Sequence, residues 1–269
     1  MSPDRPFLNI LHLSAGYGRR TVLEDVSFQA GEGLLTALLG ANGCGKTTLL
    51  RVLCRQLPHT GSCVLDGKPL ETFSRRDLAK QVSYIPQRSG IGISLTVLEV
   101  VLMGFNPVLG VLQRPSRAQK SRAYEALNAV GMEEYAEEDY QRLSEGQKQL
   151  CILARTMAED ARLLLLDEPE SALDFFHRHQ MMRLLSGLAA RSGKTALVTL
   201  HDPALALEYC RRLVLLKDGK CLSVLNPAHD SVSHMEQALS ELYGPVRLKW
   251  IRDLEKPRLV MLPDERGSC

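Results

Sequence analysis

Gly40-Ala41-Asn42-Gly43-Cys44-Gly45-Lys46-Thr47 fits the phosphate-binding loop pattern G-x-x-x-x-G-K-[ST]. The apolar run Leu34 to Leu39 precedes it and the helix-like Thr48-Leu49-Leu50-Arg51-Val52-Leu53 follows, which is the strand, loop and helix context the pattern needs. Gly40, Gly43 and Gly45 permit positive φ and a close approach of backbone to ligand, so successive N–H groups can converge on phosphate oxygens. The helix start adds partial positive charge. Lys46 is expected to reach the β- and γ-phosphates of a nucleotide as a point charge, and the Thr47 hydroxyl to ligate Mg²⁺. Cys44, inside the loop at a helix start, is expected to have a lowered pKa and raised reactivity.

Outward from the loop, short apolar runs read as strands at Leu8 to Leu13, Leu34 to Leu39, Gln81 to Ile85, Leu163 to Leu166, Ala196 to Leu200 and Leu213 to Leu216. The middle ones are continuous rather than alternating, which suits parallel strands buried on both faces. Arg117 to Val130 and Phe175 to Ala190 carry apolar residues at helical spacing, and Gly131 is a helix stop. Strands alternating with helices predict a parallel α/β architecture. Between Pro86 and Asp160 the strand signal vanishes, which predicts a helical subdomain inserted at about 88–160. After Gly219 the pattern weakens. The reading places one domain over 7–235 and a small C-terminal extension over 236–269 that holds the only Trp, Trp250.

Composition narrows the function classes. Hydrophobic residues at 45% and charged residues at 24% are ordinary globular values. A net charge of +2, with no dense basic stretch, argues against a nucleic-acid partner. Seven scattered cysteines with no C-x-x-C pair indicate neither a zinc site nor a disulfide framework. The N-terminal Met1 to Pro6 lacks the apolar core of a signal peptide, so an intracellular protein is expected. Ile91 to Leu112 is long enough to cross a bilayer and carries one formal charge, Glu99. That charge lies mid-segment, and Asn106-Pro107 and Gly110 interrupt it, so a buried or partner-facing helical segment is expected instead.

A second hydrophobic strand ends in carboxylates: Leu163-Leu164-Leu165-Leu166-Asp167-Glu168-Pro169. Asp167 is expected to hold Mg²⁺, directly or through water, and Glu168 to polarise a water toward the γ-phosphate. Between the two motifs lies Leu143-Ser144-Glu145-Gly146-Gln147, which opens the helix-like run Lys148 to Met157. Further pieces follow in order: Gln87 in Tyr84-Ile85-Pro86-Gln87, Ser171-Ala172-Leu173-Asp174, and His201 in Thr199-Leu200-His201-Asp202.

In these pieces the chain resembles the ATP-binding cassette (ABC) ATPases over roughly Phe7 to Val224, with Glu145 standing for the first glycine of their L-S-G-G-Q signature. The resemblance implies a RecA-like P-loop NTPase fold with a mostly parallel core, an inserted helical subdomain and antiparallel β elements. It implies ATP and Mg²⁺ as ligands, and two copies packed head to tail with ATP between them. Gly40, Asn42, Gly43, Cys44, Gly45, Lys46, Thr47 and Thr48 of one copy would then face Ser144, Gly146 and Gln147 of the other. Tyr17, in Gly16-Tyr17-Gly18, would stack on adenine, and Asp174 would join the two sites. His201 would contact the γ-phosphate, while Gln87 would sense Mg²⁺ and link the site to the helical insertion.

Within the family the chain is similar to importer ATPases for iron-siderophore, haem or cobalamin-type substrates. The features are Gly43-Cys44-Gly45-Lys46-Thr47-Thr48, Leu65-Asp66-Gly67-Lys68-Pro69-Leu70, Ala79 to Gln87, and the late Leu242-Tyr243-Gly244. Departures are Glu145, Glu170 where Thr is usual, and Leu150 where Arg is usual. The implied partners are integral membrane permease subunits and, indirectly, a substrate-binding protein, with the chain peripheral on the cytoplasmic side of the cell membrane. The alternatives are a soluble ABC-type ATPase that remodels a protein or cluster assembly, and a small-molecule kinase, in which Ser144 to Gln147 would have no role.

Overall fold

A run such as Leu163 to Leu166 can form a strand only if both of its faces are covered, and the fold covers both. The computed structural model describes residues 6–87, 90–109, 113–251 and 258–264. In chain order its elements are β1 (Pro6–Tyr17), β2 (Arg20–Gly31), β3 (Leu35–Leu39), α1 (Lys46–Leu53), β4 (His59–Leu65), β5 (Lys68–Pro69), α2 (Arg75–Gln81), β6 (Val82–Ile85), α3 (Val97–Leu102), α4 (Arg117–Ala129), α5 (Glu145–Ala158), β7 (Leu163–Asp167), α6 (Phe175–Ser192), β8 (Thr195–Leu200), α7 (Pro203–Tyr209), β9 (Arg212–Lys217), β10 (Lys220–Leu225), α8 (Val232–Tyr243), β11 (Val246–Ile251) and β12 (Arg258–Pro263).

The central sheet has six strands in the order β10-β9-β3-β8-β7-β6, parallel except for the β9–β10 edge pair. Side chains along its strands alternate between two cores. Leu38, Leu163, Leu165, Leu197, Val214 and Leu216 join β1, β2 and α1 on one side. Ala37, Leu164, Leu166, Val198, Leu213 and Leu215 join the helices α3 to α8 on the other. Double burial is why these strands read as unbroken apolar runs.

Five of the six expected strands lie in this sheet. The sixth, Leu8 to Leu13, is part of β1 in a separate antiparallel sheet of order β2-β1-β4-β5. Register shifts break its pairing with β2, and His12 and Asp25 sit there at φ of 53° and 54°. Such bulges interrupt the alternation that would have marked β2 and β4 in the sequence.

The apolar Ile91 to Leu112 segment does not form one long helix; residues 110–112 lie outside the described residues. Helix α3 lasts six residues and passes into a 3-10 turn at Met103–Phe105. Thr96 caps it, and Glu99 returns the bond by accepting the Thr96 N–H at 2.8 Å. The lone charge is thus a capping group rather than a buried ion. Val97, Val100, Val101 and Phe105 fill the core against α4 and α5. No helix among the described residues is long and apolar enough to cross a membrane.

Register decides where the site forms. Leu39 of β3 pairs with Leu200 of β8, and Asp167 of β7 pairs with Thr199. Gly40, Glu168 and His201 therefore leave one carboxyl edge of the sheet side by side, where α/β sheets bind ligands. At the other end of the chain, Met235, Leu239, Leu248 and Leu259 of α8, β11 and β12 join the helical-side core.

Leu165 is fully buried at the centre of β7. Leu165→Ala is expected to lower stability by about 3 kcal/mol, read as a shift of the urea midpoint at unchanged slope; a shift near zero would mean the sheet is not packed on both faces.

Candidate active site

The loop after β3 turns so tightly that side chains are excluded. A Cβ on Gly40 would lie 2.4 Å from the Leu216 carbonyl oxygen, and one on Gly45 2.4 Å from Leu23 Cδ2. Gly45 also has φ of 110° and precedes the first residue of α1, Lys46. Asn42 and Gly43 are exposed at the crown of the loop, while Thr48 is buried beneath it. The Lys46 side chain folds back into the loop, where its Nζ donates to Gly40 O at 2.7 Å and Ala41 O at 3.4 Å. An ammonium held at the loop's own carbonyls, beside exposed N–H groups at a helix start, forms a cradle for an anion.

Cys44 departs from expectation. It is 6% exposed, and burial pushes its thiol above the usual range while Lys46 pulls the other way. The helix-start argument for a reactive thiolate fails because desolvation outweighs it. Cys44 fills space under the loop.

At the end of β7, the Asp167 carboxylate is 4% exposed and gathers three hydroxyls. Thr47 Oγ1 donates to its Oδ1 at 3.1 Å, Thr199 Oγ1 to the same oxygen at 3.0 Å, and the Tyr84 hydroxyl to Oδ2 at 3.4 Å. Burial pushes the Tyr84 phenol up to about 12, so it remains a donor. Thr47 and Asp167 offer only oxygen donors, as Mg²⁺ prefers. No group of three or more His, Cys, Asp or Glu capable of holding a metal occurs among the described residues. The donor set therefore fits an ion brought in with substrate phosphates rather than one caged by protein alone.

Glu168 follows at φ of 49°, an uncommon backbone for a residue with a side chain. Its N–H donates to Thr199 Oγ1 at 2.8 Å, which locks the turn. Its carboxylate is held on both sides: Oε1 lies 2.7 Å from His201 Nε2, and Oε2 accepts from Gln87 Nε2 at 2.6 Å. Three residues that are far apart in sequence thus meet at one carboxylate. Sequence reasoning missed Thr199, Tyr84 and the location of Glu170. Thr199 was visible as a hydroxyl ending a buried apolar strand, a position that demands a partner.

The remaining candidates stand apart from this cluster. Tyr17 is 42% exposed, and its hydroxyl accepts from Arg51 of α1 at 3.0 Å, which puts the ring beside the phosphate-loop helix. Ser144 caps α5 in a reciprocal box with Gln147. Gly146 abuts the 171–173 loop, since a Cβ there would meet Ala172 O at 3.3 Å. Asp174 caps α6, and the His177 backbone N–H and ring hold its carboxyl below the usual range. No hydrogen bond among the described residues joins 144–147 to 40–48. Glu145 is turned to Lys148 on its own helix at 2.9 Å, with its side chain 75% exposed.

Residues 23–171 match the family described as ABC transporter. The chain belongs to the ABC transporter ATP-binding family. It is 35% identical over 227 residues to the iron(3+)-hydroxamate import ATP-binding protein FhuC of Bacillus subtilis, covering 82% of this chain and 84% of that protein. It is 36% identical over 245 residues to the hemin import ATP-binding protein HmuV of Jannaschia sp., covering 88% and 87%. Among solved structures, a transporter described as of metal-chelate type, in an inward-facing conformation, superposes with a TM-score of 0.82. That likeness, at 24% identity over 98% of this chain and 99% of the other, establishes the ABC cassette fold. As a member of this family the cassette binds ATP.

Since burial raises the Cys44 thiol, native protein should alkylate at Cys44 with iodoacetamide at least about tenfold more slowly than urea-unfolded protein at pH 7.5. Mass-spectrometric labelling rates decide this; equal rates would restore the reactive-thiolate reading.

Proposed function

We propose that this chain is the ATP-hydrolysing, energy-coupling subunit of an importer for iron-siderophore, haem or cobalamin-type substrates. The observation that carries the ATPase chemistry is the Glu168 carboxylate, fixed between His201 and Gln87 on the strand edge next to the Lys46 loop. The import assignment rests on relatives named for iron-hydroxamate and hemin import.

In this reading the loop N–H groups and Lys46 bind the β- and γ-phosphates, with Lys46 exchanging the Gly40 and Ala41 carbonyls for phosphate oxygens. Tyr17 stacks on the adenine. Thr47 and Asp167, with Gln87, would hold Mg²⁺, and the ion would supply neutralisation of phosphate charge. Glu168 accepts a hydrogen bond from the attacking water and aims its oxygen at the γ-phosphorus. A P–O bond forms to the water oxygen as the bond to the ADP bridging oxygen breaks, and the proton lost by the water passes by way of Glu168 to the released phosphate. His201 contacts the γ-phosphate and keeps the Glu168 carboxylate from swinging away.

Among the described residues, Ser144, Gly146 and Gln147 make no hydrogen bond to the loop of their own chain, which supports a role toward the loop of a second copy. ATP then lies between two copies packed head to tail, with Asp174 linking the two sites, and hydrolysis loosens the pair. Exposed Ile93 and Val108, at 63% and 47%, offer apolar side chains in the segment that follows Gln87 in sequence for docking to permease subunits. This gives a peripheral protein on the cytoplasmic side of the membrane.

Lys46→Ala is expected to abolish binding of MgATP, while Glu168→Gln should keep binding, lose turnover and form an ATP-dependent dimer on size-exclusion chromatography. Near-wild-type turnover in either variant would overturn the assignment. Because Glu145 is turned to Lys148, Glu145→Gly should leave turnover within about twofold. A rise of tenfold or more, about 1.4 kcal/mol of barrier, would mean that Glu145 faces the phosphate and attenuates the enzyme.

A further inference from the structure

Glu170 is 5% exposed, an unusual degree of burial for a carboxyl group. Its Oε1 accepts the His201 backbone N–H at 3.3 Å, and its Oε2 is buried with no hydrogen-bond partner. The titratable groups that face it are Glu168 from the end of β7, His201 from the end of β8, and Cys210 at the end of α7. Burial, with a smaller contribution from the Glu168 charge, pushes the Glu170 carboxyl above the usual range, against the pull of its own backbone N–H, the His201 backbone N–H and the His201 ring. Burial penalises the charged form of the carboxyl there.

A group so costly to bury has one visible task. His201 and Asp202 are the two residues between rigid elements: β8 ends at Leu200, and α7 begins at Pro203. On one side Asp202 fixes the chain by capping α7, its Oδ1 accepting from Ala204 N at 2.8 Å and Leu205 N at 3.4 Å. On the other side, the main-chain N–H of His201 itself is held by Glu170. The imidazole, 42% exposed and otherwise free to swing, meets Glu168 at 2.7 Å. Released from Glu170, the His201 backbone could rotate and take the ring off Glu168, because a shift well under the length of one bond breaks a contact that short.

We propose that Glu170 is a positioning residue for ATP hydrolysis: its buried carboxyl anchors the main chain of His201 and so aims the imidazole at Glu168. The inference rests on the reading of Glu168 and His201 as the hydrolytic pair. It assigns to Glu170 no contact with nucleotide, so ATP affinity should not depend on it.

The test is steady-state MgATP turnover of the full-length protein carrying Glu170→Gln, Glu170→Ala, His201→Ala and the double change Glu170→Ala with His201→Ala. The Gln amide oxygen can still accept the His201 N–H, so Glu170→Gln should keep kcat within about twofold of wild type. Glu170→Ala should lower kcat by about tenfold with KM for ATP unchanged, the mark of an interaction that acts on the chemical step. In the His201→Ala background, Glu170→Ala should have no further effect on kcat, since the ring it aims is gone. Three outcomes would overturn the proposal: full kcat in Glu170→Ala, equal losses in Gln and Ala variants, or a loss in the His201→Ala background as large as in wild type. If wild type itself hydrolyses no ATP, the reading of the site fails instead. If wild type hydrolyses ATP and His201→Ala leaves kcat unchanged, the pairing fails. Should Glu170→Ala not fold, the Gln variant still decides, because a kcat loss of about tenfold or more there contradicts the anchor.

Discussion

One buried carboxylate organises this molecule's working edge. Asp167 is almost wholly withdrawn from water, and a charge in that position must be met by hydrogen bonds or it unfolds its surroundings. It is met by Thr47 from the first turn of α1, Tyr84 from β6 and Thr199 from β8. These hydroxyls come from three different elements, one helix and two strands. One side chain thus ties the first turn of α1 to β6 and β8 at the edge that the strand register creates. Thr199 extends the arrangement by one step, because the hydroxyl that donates to Asp167 also accepts the Glu168 N–H.

The strained backbone at Glu168 follows from this clamp. A left-handed residue costs of order 1–3 kcal/mol and persists only where its surroundings over-determine it. Here the constraint aims the carboxylate outward, where Gln87 and His201 take one oxygen each. Gln87 leads toward the helical segment through 90–109, and His201 leads into α7. A change in what sits at Glu168 can therefore be felt by both Gln87 and His201.

The parallel core was legible because its strands are buried on both faces, so Leu163 to Leu166 and Leu34 to Leu39 carry their signal without alternation. The phosphate loop and the Asp167-Glu168 pair were legible because their geometry is local. Much of the antiparallel sheet was not, because bulges at His12 and Asp25 scramble the two-residue period. The Cys44 reading failed for a related reason: the helix start is visible in sequence, whereas the burial that reverses its effect is tertiary. Glu170 stood out only as an odd letter after Pro169, and its meaning required the His201 N–H to be seen above it.

ATP is expected to be bound and cleaved at the edge organised by Asp167. The most direct measurement is a crystal structure of the Glu168→Gln protein grown with MgATP. The account expects the triphosphate across residues 40–48, with Lys46 Nζ moved from the Gly40 carbonyl onto phosphate and Thr199 still bonded to Asp167. Nucleotide bound elsewhere, or Lys46 still tied to Gly40 beneath a bound triphosphate, would contradict it.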